Sequence, residues 1–380
     1  MHPTTFHDKL AALHTYCLNS SSSFVSFKLP LEQEINTYVQ YISTPSKLHS
    51  IETINSSEGF IFSPFTLNET NNAFLIQPDY SFTDNNLPDD IFEIIRKRTT
   101  QSNRKENHTN NTFSTTSKEE FEASVTKALE AIQSGAFQKV VLSKTQLIEK
   151  PVNFSEAAFF QKLCQQYPHA FVYFISIDTN CCWMGASPEP LLTSNSKSMQ
   201  TVSLAGTQQA TDKAIENYQW SEKELEEQEI VTKFIEQTLL DNGINNYQKS
   251  KTENYKAANL IHLKSCFEFP ISNSKPLLSS LISALHPTPS VGGLPRTEAI
   301  DFITHTEKHN RAFYTGFLGT VQQNQNIQLY VNLRCMQLLP TSILLYSGAG
   351  ITNASKPENE WIETENKLQT LKQVIFSSKY

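Results

Sequence analysis

The chain has 380 residues, 38% of them hydrophobic, with a formal charge of −7 and a pI near 5.8. That length allows a substantial core in anything from one large domain to three small ones. The acidic balance gives no basic footprint for nucleic acid, and no apolar run approaches the roughly 20 residues that a membrane-spanning helix needs.

From the start of the chain, Met1 to Cys17 has no basic head before an apolar block. Leu10, Leu13 and Cys17 fall at helical spacing, which predicts an amphipathic helix rather than a signal peptide. Six cysteines lie scattered without a C-x-x-C pair, the pattern of reduced thiols in a cytoplasmic protein. Phe24 to Leu29 and Gly59 to Phe65 read as short strands and turns. The stretch 99–117, TTQSNRKENHTNNTFSTTS, is polar with only Phe113 to bury and reads as a loop or linker; the N-x-T sequons at Asn107 and Asn110 are chance matches in an Asn-rich run. Phe121, Val125, Ala128, Leu129 and Ile132 then mark a helix over 118–134, stopped at Gly135, and a strand starts at Lys139. Further strands are predicted over 171–177, 182–185, 199–204, 327–339 and 342–346, and helices over 154–166, 221–242, 276–284, 297–303 and 358–377. Strands and helices do not alternate strictly, so the expected class is α+β with large antiparallel sheets.

Two of these helices carry acids on their apolar stripes. Glu227 shares a face with Val231 and Phe234, with Glu224 leaning the same way; Glu360 and Glu363 share one with Lys367, Leu371 and Val374. A buried carboxylate must neutralise, meet a base or ligate a metal. Spacing leaves two readings open: pairing with nearby Lys or Arg, or an all-oxygen shell of the kind that suits Mg²⁺.

A series of motifs then follows in order: KVVLSK from Lys139, GASPEPLL from Gly185, SLAGT from Ser203, SEKELEEQEIV from Ser221, HLKS from His262, LHPTPSVGGLP from Leu285, YTGFLG from Tyr314, LYVNLRC from Leu329, SGAG from Ser347 and EWIETENKL from Glu360. Together they resemble the chorismate-binding family, which includes isochorismate, anthranilate, aminodeoxychorismate and salicylate synthases. The resemblance implies one chorismate-binding domain of two large antiparallel β-sheets flanked by helices, with residues 118–380 as its catalytic core and 1–98 completing it.

Carried over position by position, the resemblance implies that Lys139 activates water and Glu189 protonates the leaving 4-hydroxyl. A lysine near pKa 10.4 must be lowered for that role and a glutamate near 4.3 raised, and burial acts in both directions. It likewise implies Glu227 and Glu363 as Mg²⁺ ligands, with Glu360 and Glu224 as inner or water-mediated partners. Arg334 and Lys367 match cations on the substrate carboxylates, Gly348 and Gly350 a glycine turn that lets backbone N–H groups approach a carboxylate, and Thr207, His262 and Tyr330 polar pocket positions.

Within that family, ammonia-using members generally lack a lysine at the position of Lys139, and aminodeoxychorismate synthases carry one where this chain has Ala205. The expected reaction is therefore water addition to chorismate giving isochorismate, which feeds menaquinone and catecholate siderophores; salicylate synthesis is the rival, and a non-catalytic chorismate-binding homologue is the alternative from another class. A monomer or weak homodimer without nucleic-acid or membrane partners is expected. Lys144 and Gln208 depart from the family pattern, which puts their local hydrogen bonding in doubt. His305 and His309 match no site motif and are expected on an exposed face.

Overall fold

The computed structural model describes residues 6–20, 22–69, 71–83, 87–88, 90–93, 113–178, 181–195, 197–271, 276–322 and 326–377. Of the predicted 99–117 linker, residues 99–112, with both sequons, lie outside them. Two antiparallel sheets organise the rest. The nine-stranded sheet runs through Gly293–Leu294, Lys139–Glu149, Ser342–Ile351, Cys335–Leu338, Cys181–Ser187, Phe171–Asp178, Ser23–Lys28, Ile35–Gln40 and Tyr80–Thr83. The ten-stranded sheet has at its centre Ser198–Gln209, Pro190–Ser194, Ile327–Val331, Phe317–Val321 and Gly59–Ser63. Early strands enter both: Ser23–Lys28 pairs with Phe171–Asp178, and Gly59–Ser63 with Phe317–Val321.

The sheets pack face to face, and helices cover their outer faces, so strands are apolar on both sides. In Phe171–Asp178, Phe171, Tyr173 and Ile175 point between the sheets, while Val172 and Phe174 meet Leu10 and Leu13 of helix Phe6–Ser20 and Phe160 of helix Glu156–Gln166. The layer between the sheets is aromatic; Phe62 stacks on Phe313 at 4.0 Å and Phe171 on Tyr330 at 4.3 Å between ring centroids. Helix Lys118–Gln133 begins where Ser117 and Glu120 cap each other's backbone N–H groups, and Gly135, at φ 82°, follows its last turn. No helix among the described residues is long and apolar enough to cross a membrane.

One predicted strand is two. The chain leaves the ten-stranded sheet after Val331 and joins the nine-stranded one at Cys335, with Arg334 left-handed at φ 47° in the gap. Asn332 makes the break: its side chain accepts from the Tyr173 hydroxyl and donates to Phe313 O, and its backbone closes on Thr315 and Gly316. The chain makes the opposite crossing, from the nine-stranded sheet to the ten-stranded one, at Pro188 and Glu189, between Cys181–Ser187 and Pro190–Ser194. The crossings lie side by side, for Val331 N donates to Glu189 O at 2.9 Å and Ala186 N to Arg334 O at 3.1 Å.

His309 also departs from expectation. Helix Arg296–Thr306 ends before it, so only His305 is on an exposed face, while the largely buried His309 has Nε2 2.9 Å from Ser143 Oγ. Beside it Arg311 pairs with Glu307 and donates to Val141 O and Val291 O, tying the Lys139 strand to the segment after Leu285. Arg311→Met leaves the buried Glu307 carboxylate without its guanidinium partner; unfolding in urea is expected to show a loss of roughly 3–5 kcal/mol, and an unchanged midpoint would contradict that anchoring role.

Candidate active site

The paired crossings fix Glu189 and Arg334 on one wall of a small cleft. Glu227 of helix Glu222–Asp241 and Lys367 of helix Pro357–Ser377 reach into it, and Gly348 and Gly350 of strand Ser342–Ile351 form its floor. Thr207 and His262, on neighbouring strands of the ten-stranded sheet, complete it. Lys139 lies behind Glu227, fully buried, with Nζ 2.9 Å from Glu227 Oε1; no hydrogen bond of good geometry fills its remaining donor directions.

Gly350 owes its place to this pair. A Cβ on Gly350 would sit 2.3 Å from Glu227 Oε1 and 3.1 Å from Lys139 Cε, and one on Gly348 2.8 Å from Leu142 O. The absent side chain at Gly350 thus gives the Glu227 carboxylate its space.

The charges alternate. Lys223, one turn before Glu227, lies 2.7 Å from Glu360 Oε1 and 3.8 Å from Glu363 Oε2, and Lys367 lies 2.7 Å from Glu363 Oε1 while donating to Gly348 O at 2.8 Å. Burial would raise the Glu227 carboxyl, but Lys139 and Lys223 outweigh it and hold it below the usual carboxylate range. Glu360, almost wholly enclosed and beside Glu363, is pushed up instead, to about 7. Glu189 has no carboxylate–ammonium contact among the described residues, and burial, only partly opposed by Lys139, Lys367 and Arg334, pushes it up to about 8. It therefore carries a proton at neutral pH.

His262 is held neutral, chiefly by burial and then by Arg334, with its pKa down to about 3. Its Nδ1 lies 2.7 Å from Gly206 O, a pure acceptor, so Nδ1 carries the hydrogen and Nε2 accepts from Arg334 Nη2 at 3.4 Å. His262 thus orients the guanidinium.

Two expected members are elsewhere. Glu224 turns back on Ser221, accepting from both its backbone N–H, at 2.9 Å, and its hydroxyl, and closes the capping box of its helix; a first-turn acid was better placed to cap than to point inward. Tyr330 faces the intersheet layer, stacked on Phe171 with its hydroxyl 3.2 Å from Gln328 Oε1, because strand alternation sends it to the face opposite Leu329 and Val331. Tyr314 lines the cleft instead. The sequence reasoning missed Lys223 and Tyr314. Lys223 carried a signal, since it stands four residues before Glu227 on the same stripe. The two departures from the family pattern lie off the cleft: Lys144 is buried over the Trp361 ring, 3.2 Å from its centroid, and paired with Glu365, while Gln208 Nε2 donates to Gln219 O at 2.6 Å.

Glu227, Glu360 and Glu363 offer oxygen donors from two helices, and Glu360 Oε2 is buried without a hydrogen-bond partner. That hard, anionic set fits a small divalent cation such as Mg²⁺. With lysines on the carboxylates, no three His, Cys, Asp or Glu side chains among the described residues are gathered around one point.

Residues 48–376 match the family described as chorismate binding enzyme. Isochorismate synthase EntC of Escherichia coli K12 is 29% identical over 261 residues, covering 67% of this chain and 66% of the relative; the match thus spans just under two thirds of that protein. Among solved structures, a Bacillus anthracis protein described as a 2,3-dihydroxybenzoate-specific isochorismate synthase superposes with a TM-score of 0.78 at 23% identity, covering 97% of this chain and 99% of that one. Anthranilate synthase component I of Streptococcus pneumoniae TIGR4 gives 0.62 at 18%, covering 92% of each. At these identities the structures share the fold.

The raised Glu189 pKa has a stability signature. Between about pH 5 and its own pKa near 8, the unfolded chain has lost this proton while the folded chain keeps it, so stability falls as pH rises through that window. Glu189→Gln should flatten this fall, gaining several kcal/mol relative to the parent at the upper end; parallel pH profiles from urea unfolding would rule the assignment out.

Proposed function

The chain belongs to the chorismate-binding enzymes, and from that premise we propose that it is an isochorismate synthase, adding water at C2 of chorismate with loss of the 4-hydroxyl. The observation that carries the reading is an enclosed carboxyl that keeps its proton up to about pH 8, at the same cleft as a buried lysine held against Glu227. In its neutral amine form Lys139 would take the proton from the attacking water. Glu189 gives its proton to the departing 4-hydroxyl, so protons balance and water leaves.

Arg334 and Lys367 supply local positive charge for a dianion on a protein of net charge −7. Arg334, steadied by His262, presents a planar fork to one carboxylate, and Lys367 adds a point charge beside Gly348. Mg²⁺ held by Glu227, Glu360 and Glu363 would supply a Lewis acid for a substrate carboxylate. The relatives named above as isochorismate synthases support the same reaction.

Incubation of purified protein with chorismate and Mg²⁺, followed by chromatography, should give isochorismate alone. Salicylate and pyruvate would move the assignment to salicylate synthesis, and no product would overturn it. Lys139→Ala and Glu189→Gln should each lower kcat by about 10²- to 10⁴-fold with the fold retained. The rate should also decline above about pH 8 as Glu189 ionises. Mg²⁺ should raise the melting temperature of the parent and not that of Glu363→Gln; equal shifts would remove the metal from this site.

A further inference from the structure

Arg334 has a second side. It and Pro188 also form part of the wall of a larger cavity, about 530 Å³, bounded by the turn Gln166–Ala170 and by residues 254–257 of the strand Glu253–Ala257. Lys256 and His169 are exposed on this cavity's walls. No Asp or Glu lines it among the described residues, although the chain carries 38 acids against 31 Lys and Arg. Nor does Lys256 form an ion pair among those residues. At the inner end, the buried Arg334 guanidinium meets His262 Nε2 at 3.4 Å and no carboxylate within ion-pair distance.

We infer that this cavity is the antechamber through which the dianionic substrate reaches Arg334, with Lys256 as the steering cation at its mouth. The inference rests on the reaction proposed above. A cavity with apolar walls and charge of one sign focuses the field along its axis and raises the local concentration of a counter-ion. Most of the walls here are Ala, Pro, Tyr and Ile215 side chains, so the field of Lys256 and Arg334 is opposed by no lining acid. On a protein whose overall charge repels anions, such a passage gives the substrate one attractive route, ending at the guanidinium that would hold its carboxylate. Charge at the mouth acts on capture and not on the chemical step, and salt weakens it, since the Debye length shrinks from about 20–30 Å in dilute buffer to under about 6 Å at high ionic strength.

The test is steady-state kinetics of the full chain with chorismate and Mg²⁺ at low and high ionic strength. Lys256→Glu should raise KM about five- to tenfold at low salt, leave kcat within about twofold, and lose most of the difference at high salt. Lys256→Arg should restore the parent KM. Lys251→Glu makes the same charge change at an exposed position outside the cavity and should leave KM unchanged. An unaltered KM in Lys256→Glu, or equal effects in Lys251→Glu, would overturn the antechamber while leaving the reaction standing. A parent protein that forms no isochorismate would overturn the reaction, and the antechamber with it.

Discussion

Backbone hydrogen bonds clamp the two sheet crossings together, Val331 to Glu189 and Ala186 to Arg334, and the cleft is arranged around that clamp. A strand buried on both faces has no room for a charged side chain, whereas a crossing leaves its sheet and can turn one into the space between strands. The acid and the arginine of the site stand at these two points. Left-handed backbone at a non-glycine residue costs roughly 1–3 kcal/mol, and Arg334 holds it at φ 47° because Asn332 and Ala186 fix the chain on either side.

Around the clamp, charge is balanced. Lys139, Lys223 and Lys367 alternate with Glu227, Glu360 and Glu363, so an enclosed cluster carries little net charge and each member lies against an opposite one. Glu189 and Arg334 stand outside that alternation. Without a direct ionic partner, Glu189 yields to burial and keeps its proton, while Arg334 stays charged and faces open space. The same principle, that burial disfavours charge unless a partner is present, yields an ionised Glu227 and a protonated Glu189 at the same cleft.

Glu227 and the Glu360–Glu363 pair were legible because an acid on an apolar helical stripe is conspicuous at a spacing of three and four. The same spacing holds Lys223, four residues before Glu227 on that stripe. Tyr330 shows the converse limit. A motif placed it near the site, but whether a strand residue points into a cleft or away from it depends on which face the sheet turns inward, and two apolar faces give no alternation to read. Glu224 is taken up locally, since an acid three residues after a serine at a helix start finds that serine's backbone N–H to accept from.

By itself, the sequence determined the local elements, the acids turned inward and the order of motifs, because these follow from helical and strand periodicity and from residue types at fixed spacing. Tertiary structure alone decided that residues 327–339 divide between two sheets, that His309 is buried against Ser143, that Lys223 closes the acidic cluster, and that Arg334 lines both the cleft and a larger cavity. Each of these depends on contacts between residues far apart in the chain, and periodicity along one strand or helix holds no record of what packs against it.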